Sequence, residues 1–206
     1  LYTYDIKNRL EPTQLGFTKD ISLPTNGLVK KRNYLYLSDN TKGIDVFDVA
    51  DPTQIKFVGS FQTLSKEAYD LCTDDNRDYL FVATGKGGVE VWSLQDPARP
   101  SRILETSALT KWNYAWGISY HKGKLFVSDR EGGLRILDAS RPSNLTLLSN
   151  YPSAKTLRYA IAQDTLVFLA NAANGIEVIS IANINLPKRV FSYNFRTYVG
   201  GLDHYK

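Results

Sequence analysis

The chain has 206 residues, 43% hydrophobic and 22% charged, an ordinary globular composition at a length that can bury most of its apolar surface. Its 25 basic residues are scattered among 21 acidic ones, and the single basic triplet, Lys30-Lys31-Arg32, falls in a turn, so no stripe suited to nucleic acid exists. The lone cysteine, Cys72, excludes an internal disulfide, and no run approaches the ~18 apolar residues of a helical membrane span.

In chain order, Leu1 to Ile6 alternates like a strand and Gln14 to Phe17 follows as a second. A unit of four strands, A to D, then recurs. Strand A is led by small residues, as in Gly27-Leu28-Val29, Asp70-Leu71-Cys72, Gly117-Ile118-Ser119 and Tyr159-Ala160-Ile161. Strand B is strongly apolar: Tyr34 to Leu37, Tyr79 to Val82, Lys124 to Val127 and Thr165 to Phe168. Strand C carries the pattern Gly-apolar-polar-apolar-apolar-Asp/Ser, starting at Gly43, Gly88, Gly133 and Gly175, in steps of 45, 45 and 42 residues. Each of these glycines suits a B-to-C turn that needs a positive φ angle. Proline-bearing turns (Asp51-Pro52, Asp96-Pro97, Arg141-Pro142) lead into strand D.

Four-stranded units at this period predict an all-β propeller, with almost no room for helix. The expected units are about 1–20 (partial), 27–62, 68–105, 115–150, 157–193 and 198–206 (partial) within one domain over 1–206. The first unit aligns with strands C and D only, and Gly201-Leu202-Asp203 reads as a fifth strand A. The expectation is therefore about five blades, or part of a larger ring.

The run Ile44-Asp45-Val46-Phe47-Asp48-Val49-Ala50-Asp51-Pro52 resembles the LVIVD repeat, together with Tyr34 to Asp39 before it and Phe57 to Phe61 after it. Val89 to Pro97 and Leu134 to Pro142 are similar, while Ile176 to Ala182 departs afterwards, its proline delayed to Pro187. The resemblance implies a propeller and a secreted or cell-surface setting. It implies no common activity, so it supplies no catalytic residues.

A residue that recurs in every unit is explained by the unit, and one found once needs a local explanation. Asp5, Asp48, Ser93, Asp138 and Ser180 share one position at the end of strand C, where a short oxygen-bearing side chain accepts a hydrogen bond from the following turn. Asp74, Asp75, Asn76 and Asp78 form an oxygen-rich turn that lacks the glycine and distal glutamate of an EF-hand loop. His121 and His204 fall at the same end of the blades without ligand spacing, Cys72 reads as a small buried hydrophobe, and Trp92 reads as core.

The individual feature is Lys111-Trp112-Asn113-Tyr114-Ala115-Trp116. In a propeller the D-to-A and B-to-C loops share one face, around the mouth of the central channel. That places Trp112, Tyr114, Trp116, Tyr69, Arg158, Tyr159 and Tyr198 with Arg130 and Asp39, the aromatic and arginine mixture enriched at interface hot spots. The expected function is a non-enzymatic binding or assembly module with no cofactor, whose partner is a protein, a surface polymer or another copy of the chain. Two alternatives stand beside it: a lyase or hydrolase drawing on Asp70, Arg158, Asp39 and Arg130, and a surface domain stabilised by calcium at Asp74 to Asp78.

Overall fold

The computed structural model describes residues 1–21, 24–74, 76–153 and 156–203, and every regular element in them is a strand. Strands β1 (Tyr2–Asp5) and β2 (Thr13–Phe17) form a two-stranded sheet. Four antiparallel meanders of four strands follow, as the repeat predicts. Blade 1 holds β3 (Thr25–Lys31), β4 (Tyr34–Asp39), β5 (Gly43–Asp48) and β6 (Lys56–Gln62). Blade 2 holds β7 (Asp70–Thr73), β8 (Tyr79–Ala83), β9 (Val89–Ser93) and β10 (Ser101–Glu105). Blade 3 holds β11 (Gly117–His121), β12 (Lys124–Ser128), β13 (Leu134–Asp138) and β14 (Thr146–Tyr151). Blade 4 holds β15 (Tyr159–Gln163), β16 (Leu166–Ala170), β17 (Ile176–Ser180) and β18 (Lys188–Tyr193). The fifth A segment, Gly201 to Asp203, does not form the expected strand; ahead of it, Val199 makes an isolated bridge to Ala172.

The core lies between blades, and strand alternation builds it. In β8, Leu80 and Val82 face Tyr36, Ile44 and Val46 of blade 1, while Phe81 and Ala83 face Ile118, Leu125 and Val127 of blade 3. In β12, Phe126 turns the other way, onto Val167 and Leu169 of blade 4. Middle strands are thus buried on both faces, which is why strand B reads as a continuous apolar run instead of an alternating one. The inner strands pack successively, β3 on β7, β7 on β11 and β11 on β15.

Turn chemistry follows the sequence closely. All five residues at the end of strand C accept from the backbone two residues on: Asp5 from Lys7 N (2.9 Å), Asp48 from Ala50 N (2.9 Å), Ser93 from Gln95 N (3.3 Å), Asp138 from Ser140 N (2.8 Å) and Ser180 from Ala182 N (3.4 Å). Gly43, Gly88, Gly133 and Gly175 all have positive φ, between 78° and 126°.

Every outer strand D also carries a bulge at one equivalent position. The register skips Leu15, Val58, Ile103, Leu148 and Val190. A bulge twists an edge strand and interrupts its ladder, which protects an otherwise open edge from pairing with another chain.

Candidate functional site

The mouth of the channel is built by a clasp between blades. Residues just after strand B adopt left-handed backbone at Gly85 (φ 62°), Arg130 (φ 44°) and Ala172 (φ 43°), and each bridges the D-to-A loop of the next blade, at Ala115, Leu157 and Val199. Loops that would otherwise splay are thereby tied to a fixed height above the inner strands. Asn26 to Leu28, Tyr69, Asp70, Trp116, Gly117, Arg158, Tyr159 and Gly200 to Leu202 then line one cavity of about 470 Å³. Five A segments thus meet at one space.

Six side chains form a continuous stack there. The Tyr69 and Trp116 rings stack at an interplanar angle of 26° with centroids 4.7 Å apart, and Tyr69 meets the edge of Tyr114 at 5.1 Å. The Tyr69 and Tyr114 hydroxyls are hydrogen-bonded to each other, and burial followed by that bond raises the Tyr69 phenol above its ordinary value. Arg130 sits over Trp116 at 4.3 Å and over Tyr114 at 4.5 Å. Arg158 sits over Trp116 at 4.7 Å and over Tyr198 at 5.7 Å. Tyr198 is 58% exposed, while Trp116, Tyr114 and both arginines are half-buried.

Not all the expected residues join this group. Trp112 is corrected from surface to core: it is only 7% exposed, packs with Phe81, Val89 and Leu125, and donates its indole N–H to the Thr106 carbonyl at 2.9 Å. Its ring lies over Gly88, where a Cβ would stand 2.2 Å from Nε1. Asp39 is likewise withdrawn: it is fully buried, accepts from the Thr41 amide and hydroxyl at 2.7 Å each, and is not on the cavity wall. Tyr159 lines the cavity as expected.

Asp70 lies on the same wall, and its burial there pushes the carboxyl up to about 7, opposed by two backbone hydrogen bonds. Those bonds come from Leu71 N on its own strand and Ile118 N on the next blade, both at 2.9 Å. The carboxylate therefore pins β7 to β11.

A residue not singled out from sequence holds the stack in place. Asp129, fully buried, accepts from Asn113 N (3.1 Å), Tyr114 N (2.6 Å) and Arg135 Nε (3.1 Å), fixing the loop that carries Tyr114 and Trp116. The available signal was the recurrence of Asp39, Thr84, Asp129 and Asn171 at the end of strand B, at the same spacing as the glycines.

At the opposite end the charged residues serve as blade pins. Arg32 pairs with Asp78 at 2.7 Å, and Lys31 with Asp74 at 3.6 Å. Arg77 donates to Asp74 (2.8 Å), to the Ser140 carbonyl (2.8 Å) and to the Ala139 carbonyl (3.0 Å) across the next blade. Asp75 and His204 lie outside the described residues. Cys72 is half-buried instead of fully buried, and desolvation followed by the nearby Asp70 and Asp74 raises its thiol well above the usual range. Trp92 is core, as expected.

Blades of four antiparallel strands around a common channel define a β-propeller. The LVIVD repeat model matches residues 25–63 and 114–153, so blades 1 and 3 carry LVIVD repeats. No curated protein matches the sequence. Among solved structures, a functionally unknown protein from Desulfotomaculum acetoxidans is 11% identical with a TM-score of 0.76, over 94% of this chain and 62% of its own. The computationally designed Ika8 protein is 13% identical with a TM-score of 0.70, over 94% of this chain and 57% of its own. A chain of a nidogen/laminin complex is 16% identical with a TM-score of 0.66, over 92% and 70%. At these identities the likeness is one of fold, and the chain spans less than two thirds of the length of the first two. Among the described residues no helix is long and apolar enough to cross a membrane.

Proposed function

We propose that the protein is a non-enzymatic interaction module at the cell surface, taking a protein partner at the cavity mouth through Tyr69, Tyr114, Trp116, Arg130, Arg158 and Tyr198. The observation that carries this reading is the stack itself. Tyr69, Trp116 and Arg158 fill one repeated slot with three different residues, and Arg130 stands where other units have Gly85 and Ala172, so the repeat does not fix these side chains, while Tyr114 and Tyr198 share a slot. Rigid aromatics backed by arginine, half-buried around an exposed Tyr198, have the make-up of an interface anchor. The cell-surface setting is what the LVIVD resemblance implies.

A lyase or hydrolase at the same mouth draws on Asp70, whose raised carboxyl fits an acid-base role. Each Asp70 oxygen is already engaged by a backbone amide, and Asp39 lies away from the cavity, which favours the binding reading. Asp74 and Asp78, the carboxylates of the calcium reading, are turned to Lys31, Arg77 and Arg32.

A photoreactive phenylalanine analogue at Tyr198, with Phe57 on the outer strand as control, tests the proposal on intact cells of the source organism. A discrete protein adduct at Tyr198, lost when Trp116→Leu and Arg158→Ala are combined, is the expected result. Adducts at Phe57 but not at Tyr198 would remove the mouth from consideration.

A further inference from the structure

We infer that the group the partner inserts at this mouth is a carboxylate from an acidic segment, held between the guanidiniums of Arg130 and Arg158. This rests on the reading of the mouth as the partner site. The argument begins from a contrast within the molecule. Elsewhere three half-buried cations have acidic partners: Arg77 with Asp74, Arg135 with Asp129 and Lys31 with Asp74. Around Arg130 and Arg158, no carboxylate of the described residues lies within ion-pair distance. The Nε of each is buried, and no described residue hydrogen-bonds it. Burying cationic donors in this way has a cost that is recovered only when an acceptor arrives.

The stack explains how the two arginines stay in place without acidic partners. A contact with an aromatic ring uses the face of a guanidinium and leaves its in-plane N–H donors unspent. Trp116 is shared by both arginines, at 4.3 and 4.7 Å. The fork of a guanidinium matches the planar geometry of a carboxylate. Arg130 occupies a left-handed position that glycine fills in blade 2 and alanine in blade 4. Glycines 27, 117, 200 and 201 line the adjoining cavity, which leaves space for an incoming chain. The remaining polar groups on that wall are Asn26, Tyr69, Tyr159 and Asp70, the last already held by two amides.

The test uses fluorescein-labelled peptides and anisotropy at low salt. A hexaglutamate peptide should bind the parent chain, and a hexaglutamine peptide should not. Arg130→Gln and Arg158→Gln should each weaken hexaglutamate binding by about tenfold or more. Lys7→Gln combined with Lys56→Gln, which removes the same or more charge elsewhere, should change it by less than about twofold. Should a glutamine variant fail to fold, Arg158→Lys retains the charge and loses the fork, with the same expected weakening. Equal affinity for the two peptides, or equal weakening by the lysine control, overturns the inference. So does a phosphoserine peptide that binds tenfold tighter than hexaglutamate, which would assign the mouth to a phosphorylated partner. A persistent Tyr198 adduct in the Arg130→Gln, Arg158→Gln double variant would refute the carboxylate and leave the mouth standing as the partner site; loss of the adduct from the parent as well would remove both.

Discussion

Arg130 separates two opposing effects, and substitution can measure each. Its backbone at φ 44° costs about 1–2 kcal/mol for a residue with a Cβ, while its two ring contacts, at 4.3 and 4.5 Å, contribute about 0.5–1 kcal/mol each. Alanine keeps the strain and loses the contacts, so Arg130→Ala should be destabilised by about 1–2 kcal/mol. Glycine loses the same contacts but relieves the strain, less about 0.4–1 kcal/mol for the added freedom of its unfolded chain. Arg130→Gly should therefore lie within about 1 kcal/mol of the parent and above Arg130→Ala. Urea unfolding reads both as midpoint shifts at constant slope. Equal midpoints for the two variants would refute the claim that this position is strained, and an alanine variant as stable as the parent would show that the ring contacts add nothing to the fold.

Arg77→Met removes four hydrogen bonds and leaves Asp74, whose side chain is fully buried, with Lys31 as its one cation and the Tyr79 amide; a loss of about 2–4 kcal/mol in the same assay is expected. Gly88→Ala puts a methyl group 2.2 Å from the Trp112 indole at φ 78°, so about 2–3 kcal/mol of destabilisation and a shift in tryptophan emission should appear together. Asp70 has a native carboxyl near 7 against an ordinary 3.8, so the folded chain binds its proton more tightly than the unfolded one. Its contribution is fully present below pH 3.8 and is lost as pH rises to about 7, at no more than ~1.4 kcal/mol per pH unit. Asp70→Asn should flatten the stability profile across that window, and an unaltered slope would place the titration elsewhere.

What repeats was readable and what occurs once was not. The glycine before strand C and the oxygen-bearing residue after it declared themselves by recurring, and the geometry at Gly43, Asp48 and Asp138 follows the inferred reason. The bulges at Leu15, Val58, Ile103, Leu148 and Val190 recur as regularly, yet an extra residue in one strand shows only against its partner, so pairing had to be seen. Trp112 belongs to a loop without a period, where no alternation tells whether a ring points inward. Its burial depends on the bare backbone of Gly88, 24 residues earlier in the chain.

The individuality of the mouth can be traced to one exchange between repeated slots. The end of strand B and the middle of strand C hold two polar slots six residues apart in every blade, Asp39 and Asp45, Thr84 and Glu90, Asp129 and Arg135, and Asn171 and Glu177, and the pairs of blades 3 and 4 are hydrogen-bonded. In blades 2 and 4 the acid is on strand C, where Glu90 accepts from Leu64 N and Trp92 Nε1, and Glu177 accepts from Asn171 and Tyr151. Blade 3 reverses the order. With Arg135 on strand C, the acid moves to Asp129, whose oxygens face the D-to-A loop and bind the amides of Asn113 and Tyr114. A buried carboxylate held by a half-buried arginine is a rigid acceptor, so the loop it grips presents Tyr114 and Trp116 at a fixed height. Trp116 then aligns Arg130 from its own blade and Arg158 from the next. A change of sign inside the scaffold thus sets up the surface, and reversing it with Asp129→Asn should disorder the aromatic stack while the other three blades keep their turns.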